Sequence, residues 1–128
     1  MSRIRDVVFD CRHPASLARF WSAVLDDYEV APYDEAELNR LRSVGISDPE
    51  DDPSVLVEPV SGGGPRLFFN KVPESKAVKN RVHVDLESDD VAEDIQRFVS
   101  LGAKVLTKHE EGHTVLRDPE GNEFCVIH

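Results

Sequence analysis

The chain has 128 residues, 40% of them hydrophobic and 31% charged, with a formal net charge of −10. That length supports one domain with a true core, burying roughly two-thirds of the unfolded surface. The acidic balance argues against nucleic acid and against anionic membrane surfaces, since an acidic surface repels phosphates. No run approaches the ~18 apolar residues of a membrane helix. Met1–Asp6 lacks the apolar stretch of a signal peptide, so a cytoplasmic location is expected. Cys11 and Cys125 fall in apolar, strand-like runs with no CxxC pair, which reads as two buried thiols rather than a structural zinc site.

In chain order, Asp6–Cys11 alternates: Val7, Phe9 and Cys11 share one face, Asp6, Val8 and Asp10 the other. Period two predicts a half-buried strand. After Arg12-His13-Pro14, the residues Leu17, Phe20, Trp21, Val24 and Leu25 recur at helical spacing, with Pro14 placed near the first turn. Tyr28–Tyr33 is a predicted strand. Asp34–Ser47 reads as a short helix or loop, and Asp48–Pro53 as an exposed acidic turn. From Ser54 to Val72 an apolar run, Glu58-Pro59, a glycine-rich turn and a second apolar run predict a hairpin. The glycines 62–64 lack the Lys-Ser/Thr and strand-to-helix context of a phosphate loop, so they are turn residues.

Residues 73–80 are polar and read as a connection. Arg81–Glu87 then alternates again, with Val82, Val84 and Leu86 on one face and His83, Asp85 and Glu87 on the other. Ser88-Asp89-Asp90 supplies a helix start; Val91, Ile95, Phe98 and Val99 draw the stripe, and Gly102 the stop. Ala103–Leu106 is a predicted strand, with Lys108–Gly112 a polar turn holding His109. The chain closes on a hairpin, Thr114–His128, around Asp118-Pro119-Glu120-Gly121-Asn122; His128, the last residue, is expected to fray. This hairpin echoes the one about 60 residues earlier, the signature of a duplicated half-domain. The expected organisation is one domain, with a module over about 4–72, a connection over 73–80 and a second module over 81–128.

The repeated strand–helix–strand–strand–strand plan, the segment LARFWSAVL, the start VHVDLESDD and the closing LRDPEGNEFCVI together resemble the glyoxalase-like branch of the vicinal oxygen chelate superfamily. The resemblance covers nearly the whole chain. It implies an α+β fold of two tandem βαβββ modules forming an eight-stranded cupped mixed sheet. It further implies a homodimer and a divalent metal held by His or Glu from the first and last strand of each module. Carried over residue by residue, the first-strand positions fall on Asp6 and His83, with Asp89 following His83 at the family's usual interval. The last-strand positions fall on Phe68 or Phe69, beside Asn70, and on Cys125, with Glu123 two residues before it. His83 and Asp6 are thus the metal candidates, and the set is incomplete: a Lewis-acid site needs about three protein ligands around an open position. That disfavours a divalent metal, and no cofactor is identified.

His83 reads first as a partner of Asp85 or Asp6, and second as a ligand or acid–base group suited to proton transfer. Of Phe68 and Phe69, consecutive in a strand, one belongs to the core and the other to a ligand cavity, where an aromatic ring favours a planar or apolar molecule. Trp21 extends the helix stripe, with lining of the cavity as the alternative. The candidate binding set is Asp6, Asp10, Trp21, Phe68, Phe69, Asn70, Asp85 and Cys125. The expected function is the binding of a small organic molecule in a concave cup without a full metal site. The alternative is a metal-dependent lyase, isomerase or dioxygenase of the superfamily.

Overall fold

The computed structural model describes residues 1–108 and 112–128. The chain forms two compact units, Met1–Glu74 and Ser75–His128. His109, Glu110 and Glu111, in the segment expected to be a polar turn, lie outside the described residues.

The first unit runs β1 (Asp6–Cys11), α1 (Pro14–Val24), β2 (Tyr28–Val30), α2 (Glu35–Ser43), a single 3-10 turn (Pro49–Asp51), β3 (Ser54–Pro59) and β4 (Arg66–Lys71). Its sheet has the order β1-β4-β3-β2, with β1 parallel to β4 and the other pairs antiparallel. Register sorts the side chains. Phe9 lies opposite Phe69, itself opposite Val55, on the face that α1 covers. Trp21 from α1 meets the Phe9 ring at 5.4 Å, and Phe9 meets Phe69 at 5.1 Å. Leu17, Phe20, Trp21 and Val24 are all buried, as their spacing along one helical stripe requires.

The other face of this sheet carries three cross-strand rows: Asp6 with Arg66, Val8 with Phe68 and Leu56, and Asp10 with Asn70 and Ser54. An apolar middle row between two polar ones is the feature that positions the site described below.

The second unit repeats the plan with β5 (Asp85–Glu87), α3 (Val91–Ser100), β6 (Lys104–Lys108), β7 (His113–Arg117) and β8 (Glu123–Ile127), in the order β5-β8-β7-β6. Again the first and last strands are parallel. Phe98 from α3 packs on Phe124 at 6.2 Å, over a face that also buries Leu116, Thr114 and Val126. Asp90 caps α3 by accepting from the Glu93 amide at 3.1 Å. The closing turn is held by Asp118, whose Oδ1 accepts from the amides of Glu120 and Asn122, both at 2.9 Å. Gly121 there has φ of +91°, a conformation that an L side chain resists.

Three expectations need correction. The strand predicted over Tyr28–Tyr33 is only Tyr28–Val30. The strand predicted over 81–87 is only Asp85–Glu87, and Val82, near its expected start, is 80% exposed. Although β8 begins at Glu123, Cys125 opposite Asp85 is the first rung of the β5–β8 ladder. His128 is tied rather than frayed: its amide donates to the Gly112 carbonyl at 2.8 Å, and its Nε2 lies 2.9 Å from Thr114 Oγ1.

Candidate functional site

In the first unit, the chain between β2 and β3 passes beside the open face of the sheet and leaves a hollow of about 360 Å³ there. Phe68 and Leu56, the apolar middle row, form its floor; Tyr33, Arg40, Asp52 and Ser54 are among its walls. Helix α2 forms on one side because Asp34 caps it, accepting from the Glu37 amide at 2.8 Å, while first-turn acids and last-turn arginines match the helix dipole.

The polar groups are held in place. Tyr33 donates its hydroxyl to Asp52 Oδ2 at 2.8 Å, and the Ser54 amide donates to Asp52 Oδ1 at 3.0 Å. Burial raises the Tyr33 pKa, and the hydrogen bond to Asp52 raises it further, so the phenol keeps its proton and remains a donor. The Arg40 guanidinium is taken by Glu37, with Nε 3.1 Å from both carboxylate oxygens.

Sequence reasoning missed Tyr33, Arg40 and Asp52. Asp52 is only 3% exposed, although it belongs to the run expected to be a solvated acidic turn. Five charged or turn-forming neighbours mask the one carboxylate that the 3-10 turn directs inward; the only local signal was Pro53 ending that run.

Among the expected site residues, Phe68 lies on the open face and in the hollow, whereas Phe69 is fully buried and Trp21 is 1% exposed under the sheet. Both side chains pack into the core, where their positions in the strand and helix periods point them, rather than lining the hollow. Asn70 and Asp10 share the outer polar row; Asn70 Oδ1 accepts from Ser54 Oγ at 2.7 Å, and neither is in the hollow's wall. Asp6 is clamped by Arg66, with Nε to Oδ1 at 2.8 Å and a second bond at 3.2 Å. That bidentate pair lowers the Asp6 pKa and occupies the oxygens that an ion would need.

In the second unit, Asp85 lies directly opposite Cys125, and His83 Nε2 is 3.4 Å from Asp85 Oδ1. The donor atoms of His83, Asp85 and Cys125 all lie within 4.8 Å of one another. Among the described residues this is the grouping that brings three such donors together, and it takes in His83 and Cys125 but not Asp6. Donors on a tetrahedral zinc-type ion sit about 3.5 Å apart given the usual ligand distances. The His83–Asp85 spacing fits, and the full set fits after a closure of about 1 Å. Burial, then the nearby Asp85 carboxylate, raises the Cys125 pKa, so the thiol keeps its proton unless a cation displaces it.

Glu123 does not join this group. It is 4% exposed, holding Lys76 Nζ at 3.0 Å and the Asn80 amide at 3.1 Å. Burial pushes its pKa up, but the Asn80 amide and Lys76 outweigh it and bring the value down to about 2. Glu123 is therefore the clip that fastens the chain at 76–80 to the second sheet.

Residues 6–127 match the family model described as a glyoxalase-like domain. The chain belongs to that family. This glyoxalase-like chain has the fold of a glyoxalase/bleomycin resistance protein/dioxygenase family enzyme from Burkholderia phytofirmans, at 16% identity and a TM-score of 0.68, with 98% of each chain covered. It is likewise similar to the fosfomycin resistance protein of Mesorhizobium loti (13% identity, TM-score 0.68, covering 99% of this chain and 91% of that one). The trypanothione-dependent glyoxalase I of Leishmania major aligns at 16% identity and a TM-score of 0.62, over 99% and 86% of the two chains. No curated protein sequence matches significantly. At such identities the likeness speaks for the two-module α+β fold, with its two four-stranded mixed sheets. Among the described residues no helix is long and apolar enough to cross a membrane.

Proposed function

We propose that this glyoxalase-like protein binds a small organic molecule in the hollow of its first unit, without a full metal site. The observation that carries the reading is the 360 Å³ cavity floored by Phe68 and Leu56, with fixed hydrogen-bonding groups on its walls. That size and lining suit a compact ligand: an apolar floor supplies affinity and a few placed polar groups supply orientation. The test is a thermal-shift screen against a metabolite library. A ligand at about 100 times its Kd adds about 2.7 kcal/mol to stability. Genuine hits should lose that stabilisation in Phe68→Ala; a library without hits, or hits indifferent to Phe68→Ala, would sink the reading. The homodimer expected from the family belongs to the same proposal, and sedimentation equilibrium measures it.

A second reading is favoured by the grouping of His83, Asp85 and Cys125. It is a metal-dependent lyase, isomerase or dioxygenase. Those three side chains would hold a borderline-soft divalent ion such as zinc, which when bound polarises substrate oxygens as a Lewis acid. The chain's own part is to offer an imidazole oriented by Asp85 and a buried thiol that gives up its proton on loading. Elemental analysis of protein purified without chelator or nickel column decides it. Stoichiometric metal lost in His83→Ala and Cys125→Ser would replace the first reading with this one, and metal-free protein would dismiss it.

A further inference from the structure

Asp52 is a buried carboxylate, 3% exposed, facing the hollow of the first unit. Its two hydrogen bonds come from neutral donors, the Tyr33 hydroxyl and the Ser54 amide. Among the described residues no cation reaches it within 4.0 Å. A buried carboxylate without a counter-ion is costly to keep, and a positive charge placed beside it recovers part of that cost.

The rest of the lining tilts the same way. The hollow is bordered by three carboxylates, Asp34, Glu37 and Asp52, against the single guanidinium of Arg40. Arg40 is committed to Glu37 by paired hydrogen bonds and feels Asp52 only at a distance. Arg66 stands over the Phe68 ring at 5.2 Å, but its charge is answered by Asp6. On its other side Asp52 borders a smaller polar cavity of about 210 Å³, shared with Arg12 and Lys71. Neither of those closes onto it as an ion pair. Beyond the hollow, the net charge of −10 raises the local concentration of cations around the whole chain.

We infer that the hollow selects organic cations: a molecule with a flat or apolar body on Phe68 and Leu56 and an ammonium or similar group directed at Asp52. This rests on the binding reading above and names its ligand class. Neutral molecules gain only the floor, and anions meet an uncompensated carboxylate, so charge decides among ligands of one shape.

The test uses three near-isosteric probes on the full chain: 4-methylbenzylamine, 4-methylbenzyl alcohol and 4-methylbenzoate, followed by calorimetry or NMR shifts at neutral pH. The amine should bind about tenfold or more tightly than the alcohol, with the benzoate weakest, and the gap should narrow at high salt. Asp52→Asn, whose Oδ1 still accepts from the Ser54 amide while its Nδ2 donates to the Tyr33 hydroxyl oxygen, should weaken the amine about tenfold and leave the alcohol nearly unchanged. Arg40→Gln should act in the opposite direction, tightening the amine several-fold by freeing Glu37; a variant that merely damaged the fold would not tighten anything.

Equal or better binding of the alcohol or benzoate, lost in Phe68→Ala, would overturn the cation assignment and leave the hollow as a binding site. Amine binding unaffected by Asp52→Asn would overturn it too. If none of the three probes binds, the assignment falls, while the binding reading is judged by the library screen.

Discussion

The two units share one strand order and one parallel first-to-last pairing, yet their open faces differ. In the first, 23 residues join β2 to β3, numbers 31–53, and the segment includes α2 and the inward-turned Asp52. In the second, β6 passes to β7 through residues 109–112 alone. The longer connection leaves a walled hollow over an apolar row. On the second sheet His83 and Asp85 stand exposed beside the buried Cys125. One repeated frame thus carries two different arrangements, a hollow over an apolar row in the first unit and a grouping of His83, Asp85 and Cys125 in the second. The connections differ more than the frame does, since strand order and pairing sense are the same in both units.

Within the first unit, Phe69→Ala should cost about 3–5 kcal/mol in urea unfolding, because Phe69 is fully buried against Phe9. Phe68→Ala, one residue away on the open face, should cost about 1 kcal/mol or less and instead abolish ligand stabilisation. Similar costs at both positions would mean that the open face is core, and the hollow would lose its standing.

The second unit should carry the acid sensitivity. The Glu123 pKa falls from 4.5 to about 2 on folding, so its contribution is complete above pH 4.5 and is lost as the pH falls toward 2. That depression corresponds to about 3 kcal/mol. Glu123→Gln should remove it and flatten the stability profile over that acid range. The Asp6–Arg66 pair of the first unit is open to water and should add much less to the same profile. A profile unchanged by Glu123→Gln would dismiss the clip.

The smallest effects compare the helix caps. Asp34→Ala and Asp90→Ala should each cost about 1 kcal/mol, since each carboxylate satisfies one helix amide. Only Asp34→Ala should also weaken ligand binding, because α2 walls the hollow and α3 does not. Equal losses of binding in the two variants would place the ligand elsewhere.

Much of this was legible in the chain itself. The alternation of Val7, Phe9 and Cys11, the stripe through Leu17, Phe20, Trp21 and Val24, and the Asp118–Asn122 turn each follow from local periodicity or local hydrogen bonding. The split of Phe68 from Phe69 was equally readable, because successive strand residues point to opposite faces. The strand predicted over Arg81–Glu87 was too long at its start: alternation marks the face of each residue, whereas the strand's length depends on pairing with β8, some 40 residues away.

By itself, then, the amino-acid order determined the doubled βαβββ plan, the core faces and the family, because those rest on short-range periods and on a repeat. Only the tertiary structure decided which polar residues matter. Asp52 is drawn inward by the Tyr33 hydroxyl, Glu123 is consumed by Lys76 and Asn80, Asp6 is taken by Arg66, and His83 meets Asp85 and Cys125. Each of those outcomes depends on partners brought together by strand register and loop path. A charge reveals its role only through the groups that surround it.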